Sequence, residues 1–289
     1  MAMPDGIGIV DLMLGFPIAD YDKTYDFLRK AARDKESKES FRFPVEYMFK
    51  GVPYDFGKDA DPVEATLAEM DKWGIERAMI GIGGETSRRA LRAHPKRFIP
   101  CAQVDPNRGM DALRDMAKAH DEYGIRAVSC FPAGLSPQVD IHDKRFFPLY
   151  AKACELGVAF FVNAGVPGPR VPMHCQHVEH LDEVCWFFPE LTLVTYHGCE
   201  PWQDLMVKLM LKWPGLHYAT SAFAPKHYPK AIVDYANTRG ADKVLYAGYF
   251  PMGLSLERIM TEMRSVPFRD PVWPKFLREN ALRVLRLEA

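Results

Sequence analysis

The sequence predicts a (β/α)8 barrel with an insertion after its first strand, on three observations. Short β-rich runs alternate with amphipathic helical stretches along the chain, about eight times. Runs such as VAFFV and LTLVTY are apolar without the alternation of a sheet that faces water, as befits parallel strands covered by helices. The chain of 289 residues also suits one α/β barrel, typically about 250 residues, with an addition. Residues 1–289 accordingly read as a single domain.

The strands are expected at 7–14, 77–82, 98–104, 126–131, 159–163, 191–196, 216–221 and 243–247, where β-branched and aromatic residues cluster. Helices are expected between them at 62–73, 87–93, 109–123, 144–156, 177–188, 202–212 and 225–238, with another at 254–264. Gly74, Gly124, Gly157 and Gly240 follow helical stretches, where a left-handed cap ends a helix. An open doubly wound sheet is the other architecture, but no GxGxxG or GxxxxGK[ST] opens any helix. The alternation is interrupted at about 20–60, which holds a helical stretch at 21–33, the run DKESKES read as a solvated loop, and the aromatic FRFPVEYMFKGVPYDF. Such an insertion is an oligomer contact, a decorative subdomain or a lid over the barrel mouth.

Thirty-seven basic residues balance thirty-eight acidic ones, so no global field favours nucleic acid or an anionic membrane as a partner. No apolar run reaches membrane-spanning length, and the N-terminus lacks the cationic start of a signal peptide. A cytoplasmic protein follows, with six cysteines that form no CxxC pair and read as reduced core thiols.

In such a barrel, chemistry sits at the C-terminal ends of the strands. Those ends deliver Asp11, Met13, Gln103, Asp105, Cys130, Asn163, His197, Ser221 and Tyr249, with Arg170 on the loop after the fifth strand. His197, followed by glycine, is placed for proton transfer or metal ligation. Arg170 carries a planar fork suited to a carboxylate. A separate group, His174, Cys175, His177 and His180, places three histidines on one helical stripe if the helix begins early.

The stretches HPKRFIPCAQVDPN, DKRFFPLYAKACELGVAFFVNAG, FPELTLVTYHGCEPW and RENALRVL resemble the amidohydrolase-2 group of metal-dependent hydrolases, in the right order through essentially the whole chain. The resemblance implies a (β/α)8 barrel and a hydrolase, hydratase or nonoxidative decarboxylase of small, often aromatic-derived carboxylic acids. It also implies a metal site, which this chain does not match. The family's Asp-x-His-x-His is here Asp11-Leu-Met13-Leu-Gly15, its fifth-strand His is Asn163, and its last Asp falls at Tyr249. Only His197 remains, and one ligand does not hold zinc.

The resulting expectation is a metal-free acid–base enzyme with no cofactor, acting as a hydrolase or carbon–carbon lyase on a small carboxylate. His197 is the acid–base and titrates near neutrality. Asp11 orients it, and Tyr249 donates to a developing oxyanion. Asn163, Arg170, His174, Ser221 and Cys130 contact substrate, Cys130 as a wall thiol. The alternatives are a divalent metal such as zinc in a non-standard site at the His174–His180 cluster, and an inactive barrel serving as a ligand-binding or assembly subunit. Homo-oligomerisation is left open.

Overall fold

The computed structural model describes residues 3–18, 20–49, 51–52 and 60–288. Eight strands run in sequential order around one sheet: β1 (Ile9–Asp11), β2 (Ile75–Gly81), β3 (Phe98–Gln103), β4 (Ala127–Cys130), β5 (Ala159–Asn163), β6 (Leu193–Tyr196), β7 (Leu216–Ala219) and β8 (Val244–Leu245). Each is parallel to the next. The two ends meet where Leu12 N donates to Tyr246 O at 3.3 Å and Leu14 bridges Phe250 in parallel. This is the (β/α)8 barrel that the alternation predicts.

Consecutive residues point to opposite faces of a strand, and in this barrel both faces are buried. Phe160 packs outward beneath the helices and Phe161 inward with Tyr196, Val194 and Leu12. That is why β5 reads as an unbroken apolar run. β8 is shorter than expected because its flanking amides bond elsewhere: Tyr246 N to Phe276 O, and Ala247 N to Thr220 Oγ1.

The crossover helices are α1 (Pro62–Lys72), α2 (Glu85–Ala93), α3 (Met110–Tyr123), α4 (Phe147–Leu156), α5 (His180–Phe187), α6 (Gln203–Lys212) and α7 (Lys230–Ala236), with α8 (Leu256–Met263) after β8. Gly124 and Gly157 are left-handed caps as expected. Gly240 is not in the left-handed region. It has no room for a side chain, since a Cβ would lie 2.3 Å from the Tyr235 ring.

The insertion differs from its expectation. The stretch 21–33 is two short helices, Tyr21–Thr24 and Asp26–Ala31. DKESKES is not a loop: Lys35–Glu39 is helical, capped by Asp34, whose carboxylate accepts the Ser37 N–H at 2.9 Å. Residues 53–59, which hold part of the aromatic run, lie outside the described residues. The rest turns back over the barrel, and Tyr47 Oη donates to Gly168 O at 2.6 Å.

Candidate active site at the barrel mouth

The C-terminal ends of the strands open into a cavity of about 830 Å³. Met13, Cys130, Asn163, Tyr196, His197 and Tyr249 line its strand side, and Phe27, Phe43, Met48 and Phe49 of the insertion line the other. The Tyr249 ring stacks on Phe49 at 5.6 Å and meets the His197 ring edge-on at 5.4 Å. An aromatic cover thus sits directly against the polar floor.

His197 follows β6 in a left-handed turn, with φ of 65° at His197, 82° at Gly198 and 57° at Cys199. The turn packs closely against Gly165, where a Cβ would lie 2.8 Å from the Cys199 carbonyl carbon. Ser221 Oγ accepts the His197 backbone N–H at 3.1 Å and lies 2.9 Å from its Nδ1. Ser221 Oγ is therefore the group that fixes the orientation of the ring. Burial pushes the imidazole down to about 4, partly offset by Ser221. The expected titration near neutrality is therefore corrected: among the described residues no carboxylate pairs with this ring, and it is neutral at pH 7.

Asp11 corrects a second expectation. It is fully buried beneath the floor and does not line the cavity. Its Oδ1 accepts from Gly248 N at 2.8 Å and Met13 N at 2.9 Å, tying the end of β1 to the segment after β8. Burial raises its pKa to about 7, against the lowering effect of those two N–H groups and of the Tyr246 hydroxyl. The imidazole is oriented by Ser221 and not by Asp11. Gly248 is required there, since a Cβ would stand 2.5 Å from Asp11 Oδ2.

Of the substrate contacts expected, the structure brings Asn163 and Cys130 to the cavity. Burial pushes the Cys130 thiol far up, which suits a wall and not a nucleophile. Ser221 is wholly buried behind His197. Arg170 is elsewhere: it pairs with Asp34 at 2.7 Å and Glu36 at 2.8 Å and packs over Phe41 and Tyr47, fastening the insertion to the loop after β5. Among the described residues, Arg108, Arg258 and His227 also line the cavity, each away from a strand end and so missed in the sequence. Gln176 was missed too; fully buried, it accepts from Ala133 N at 3.2 Å and donates to Gly165 O at 3.0 Å, cross-linking two walls.

His174 is outside the cavity. It begins a 3-10 turn (His174–Gln176), and α5 starts only at His180, so the histidines form no helical stripe. Cys175 is buried, and His177 is engaged with the Glu179 N–H at 3.2 Å and the Trp202 ring at 3.9 Å. His174 and His180 instead meet Asp140, from the connection between β4 and α4, with one donor atom of each within 4.8 Å of the others.

Donor chemistry at the two places differs. At the positions of the family's metal ligands the mouth offers a thioether at Met13, an amide at Asn163, a phenol at Tyr249 and an imidazole already bonded to Ser221, which do not fit the metal set that the family resemblance implies. Among the described residues, Asp140, His174 and His180 are the three converging His, Cys or carboxylate donors.

The profile of the Amidohydrolase family (Amidohydro_2) matches residues 16–287, and the chain belongs to that family. No curated protein matches it. Among solved structures it is similar to a TIM-barrel protein from Bordetella bronchiseptica, with 21% identity and a TM-score of 0.73 over 96% of this chain and 98% of that one. It is also similar to 5-carboxyvanillate decarboxylase from Novosphingobium aromaticivorans, complexed with manganese and 4-hydroxy-3-methoxy-5-nitrobenzoic acid, with 16% identity and a TM-score of 0.69 over 98% and 97% of the two chains. A dihydroxybenzoic acid decarboxylase from Polaromonas, with manganese and 2-nitroresorcinol, shares 15% identity and a TM-score of 0.64 over 96% and 97%.

These findings correct the expectation of no cofactor. Structures of this fold hold manganese, and this chain carries a histidine–carboxylate donor triad. Counting ligands at the family positions overlooks that triad, because Asp140 follows β4 while His174 and His180 follow β5.

No described helix is long and apolar enough to cross a membrane.

Proposed function

We propose that the chain is an enzyme that binds a small, ring-derived carboxylic acid in the mouth cavity and acts on it as a hydrolase or carbon–carbon lyase. The observation that carries this reading is the cavity itself: Asn163, His197 and Tyr249 share its floor beneath an aromatic cover that would sandwich a planar ring. The decarboxylases of the same fold, with aromatic acids or their analogues as ligands, support the substrate class.

In this reading the neutral His197 ring accepts from the Ser221 hydroxyl at Nδ1 and uses its Nε2 N–H as a donor to negative charge that develops on the substrate, with the Tyr249 hydroxyl as a second donor. Burial raises the Tyr249 pKa, so its proton is retained. Asn163 positions the ring substituents. Arg258, which also bonds Glu262 at 3.1 Å, supplies the positive wall for a carboxylate, in the role expected of Arg170, with His227 beside it on the same lining. Asp11 is a positioning residue that holds the strand ends. The insertion acts as the lid.

The test is a panel of hydroxybenzoates and other ring-derived acids, first by thermal shift and then by product analysis. At least one acid should raise the melting temperature and be consumed. Failure of every aromatic acid to bind removes the reading. Binding without turnover would favour a ligand-binding barrel, for which one observation speaks: Asp11, raised toward neutrality, is walled off from the cavity.

A further inference from the structure

We propose that Asp140, His174 and His180 form a binding site for a divalent ion of the zinc class, on the rim of the barrel and separate from the mouth cavity. Their donor atoms lie within 4.8 Å of one another, and His174 Nε2 is 3.7 Å from Asp140 Oδ2. None of the three lines the cavity. Two imidazoles and a carboxylate are a set that zinc, cobalt and nickel accept, with a coordination position left for water.

Two further observations point to a ligand here. His180 Nε2 lies 3.0 Å from the carbonyl of His174, the outer bond that commonly fixes the ring of a metal-binding histidine. His142 stacks on His180 at 4.1 Å, and its buried Nδ1 has no hydrogen-bond partner, so a polar atom beside the cluster is left unsatisfied.

The position gives the ion a task. Asp140 belongs to the connection after β4, and His174 and His180 to the one after β5. The ion would clip these two connections together on the outside, as Gln176 joins them on the inside through Ala133 and Gly165. Occupancy therefore stiffens the wall of the cavity without entering it.

The experiment uses the full chain, stripped with chelator and titrated with Zn²⁺ by calorimetry and with Co²⁺ by visible absorption. One ion should bind per chain, raise the melting temperature and slow hydrogen exchange in 131–146 and 166–180. His174→Ala, at a side chain 77% exposed and so harmless to the fold, should weaken binding at least about tenfold, and Asp140→Asn likewise. His197→Ala should bind as tightly as the parent. The proposal is overturned if no ion binds in large molar excess, if His174→Ala and Asp140→Asn both bind like the parent, or if His197→Ala abolishes binding and thereby places the ion at the mouth.

Discussion

The C-terminal face of the barrel carries two groups of histidine and aspartate, and they are built in opposite ways. At the floor of the mouth, Asp11 and Ser221 are wholly buried and His197 opens only to the cavity, each already engaged by a neighbour in the chain. At the rim, Asp140 and His174 reach solvent, 35% and 77% exposed, and converge with His180. Burial drives the floor groups toward their neutral forms, raising Asp11 to about 7 and lowering His197 to about 4. The floor therefore deals in hydrogen bonds, and the rim has the chemistry to take a cation. Identical residue types acquire different uses from the water around them.

The largest test of this contrast is His197→Ala. Once a substrate is found, turnover should fall by about 10²–10³ while circular dichroism stays unchanged, the usual effect of losing one preorganised donor. Unchanged turnover would make the floor structural and erase the distinction.

Next in size is the pH dependence of stability. Asp11 binds its proton more tightly when folded, at about 7 against 3.8, so the folded state holds the extra proton between those values and stability falls as pH rises through them. His197 has the opposite sign: with its folded value at about 4 against 6.5, stability falls as pH drops through that window. Asp11→Asn should remove the first slope and be stabilised relative to the parent by a few kcal/mol at about pH 8 compared with about pH 5, measured by urea unfolding. An unaltered slope would mean that the floor carboxyl is not held neutral.

A smaller change, about 1–3 kcal/mol of destabilisation, is expected of Gly248→Ala, whose Cβ intrudes on Asp11 Oδ2 and the Tyr246 hydroxyl. Tolerance of alanine there would show a floor looser than its hydrogen bonds imply. Smallest is Arg170→Ala: its ion pairs are partly exposed, so stability should change by less than about 1 kcal/mol. KM should nevertheless rise, because the insertion that covers the floor loses its fastening.

The legible part of this molecule was whatever depends on local order. Helix and strand periods dictate the barrel, and the barrel dictates that Cys130, Asn163, His197 and Tyr249 arrive at its mouth. What long-range contacts decide was not legible. Arg170 follows the right strand, yet Asp34 and Glu36 from the insertion draw it aside. Asp11 ends the right strand, but the amides of Met13 and Gly248 hold it under the floor. Asp140 joins two histidines only because β4 and β5 are neighbours, and nothing in the spacing of one loop announces a residue in another.

The left-handed turn at His197 has a bearing on how this position can change. A non-glycine residue at φ of 65° pays a conformational penalty that glycine escapes and asparagine largely avoids. In a library randomised at this codon, selection for folding alone is drawn toward those two residues, while selection for turnover is drawn back to histidine. The distance between the two enriched populations measures how far the position is kept for chemistry at the expense of backbone comfort.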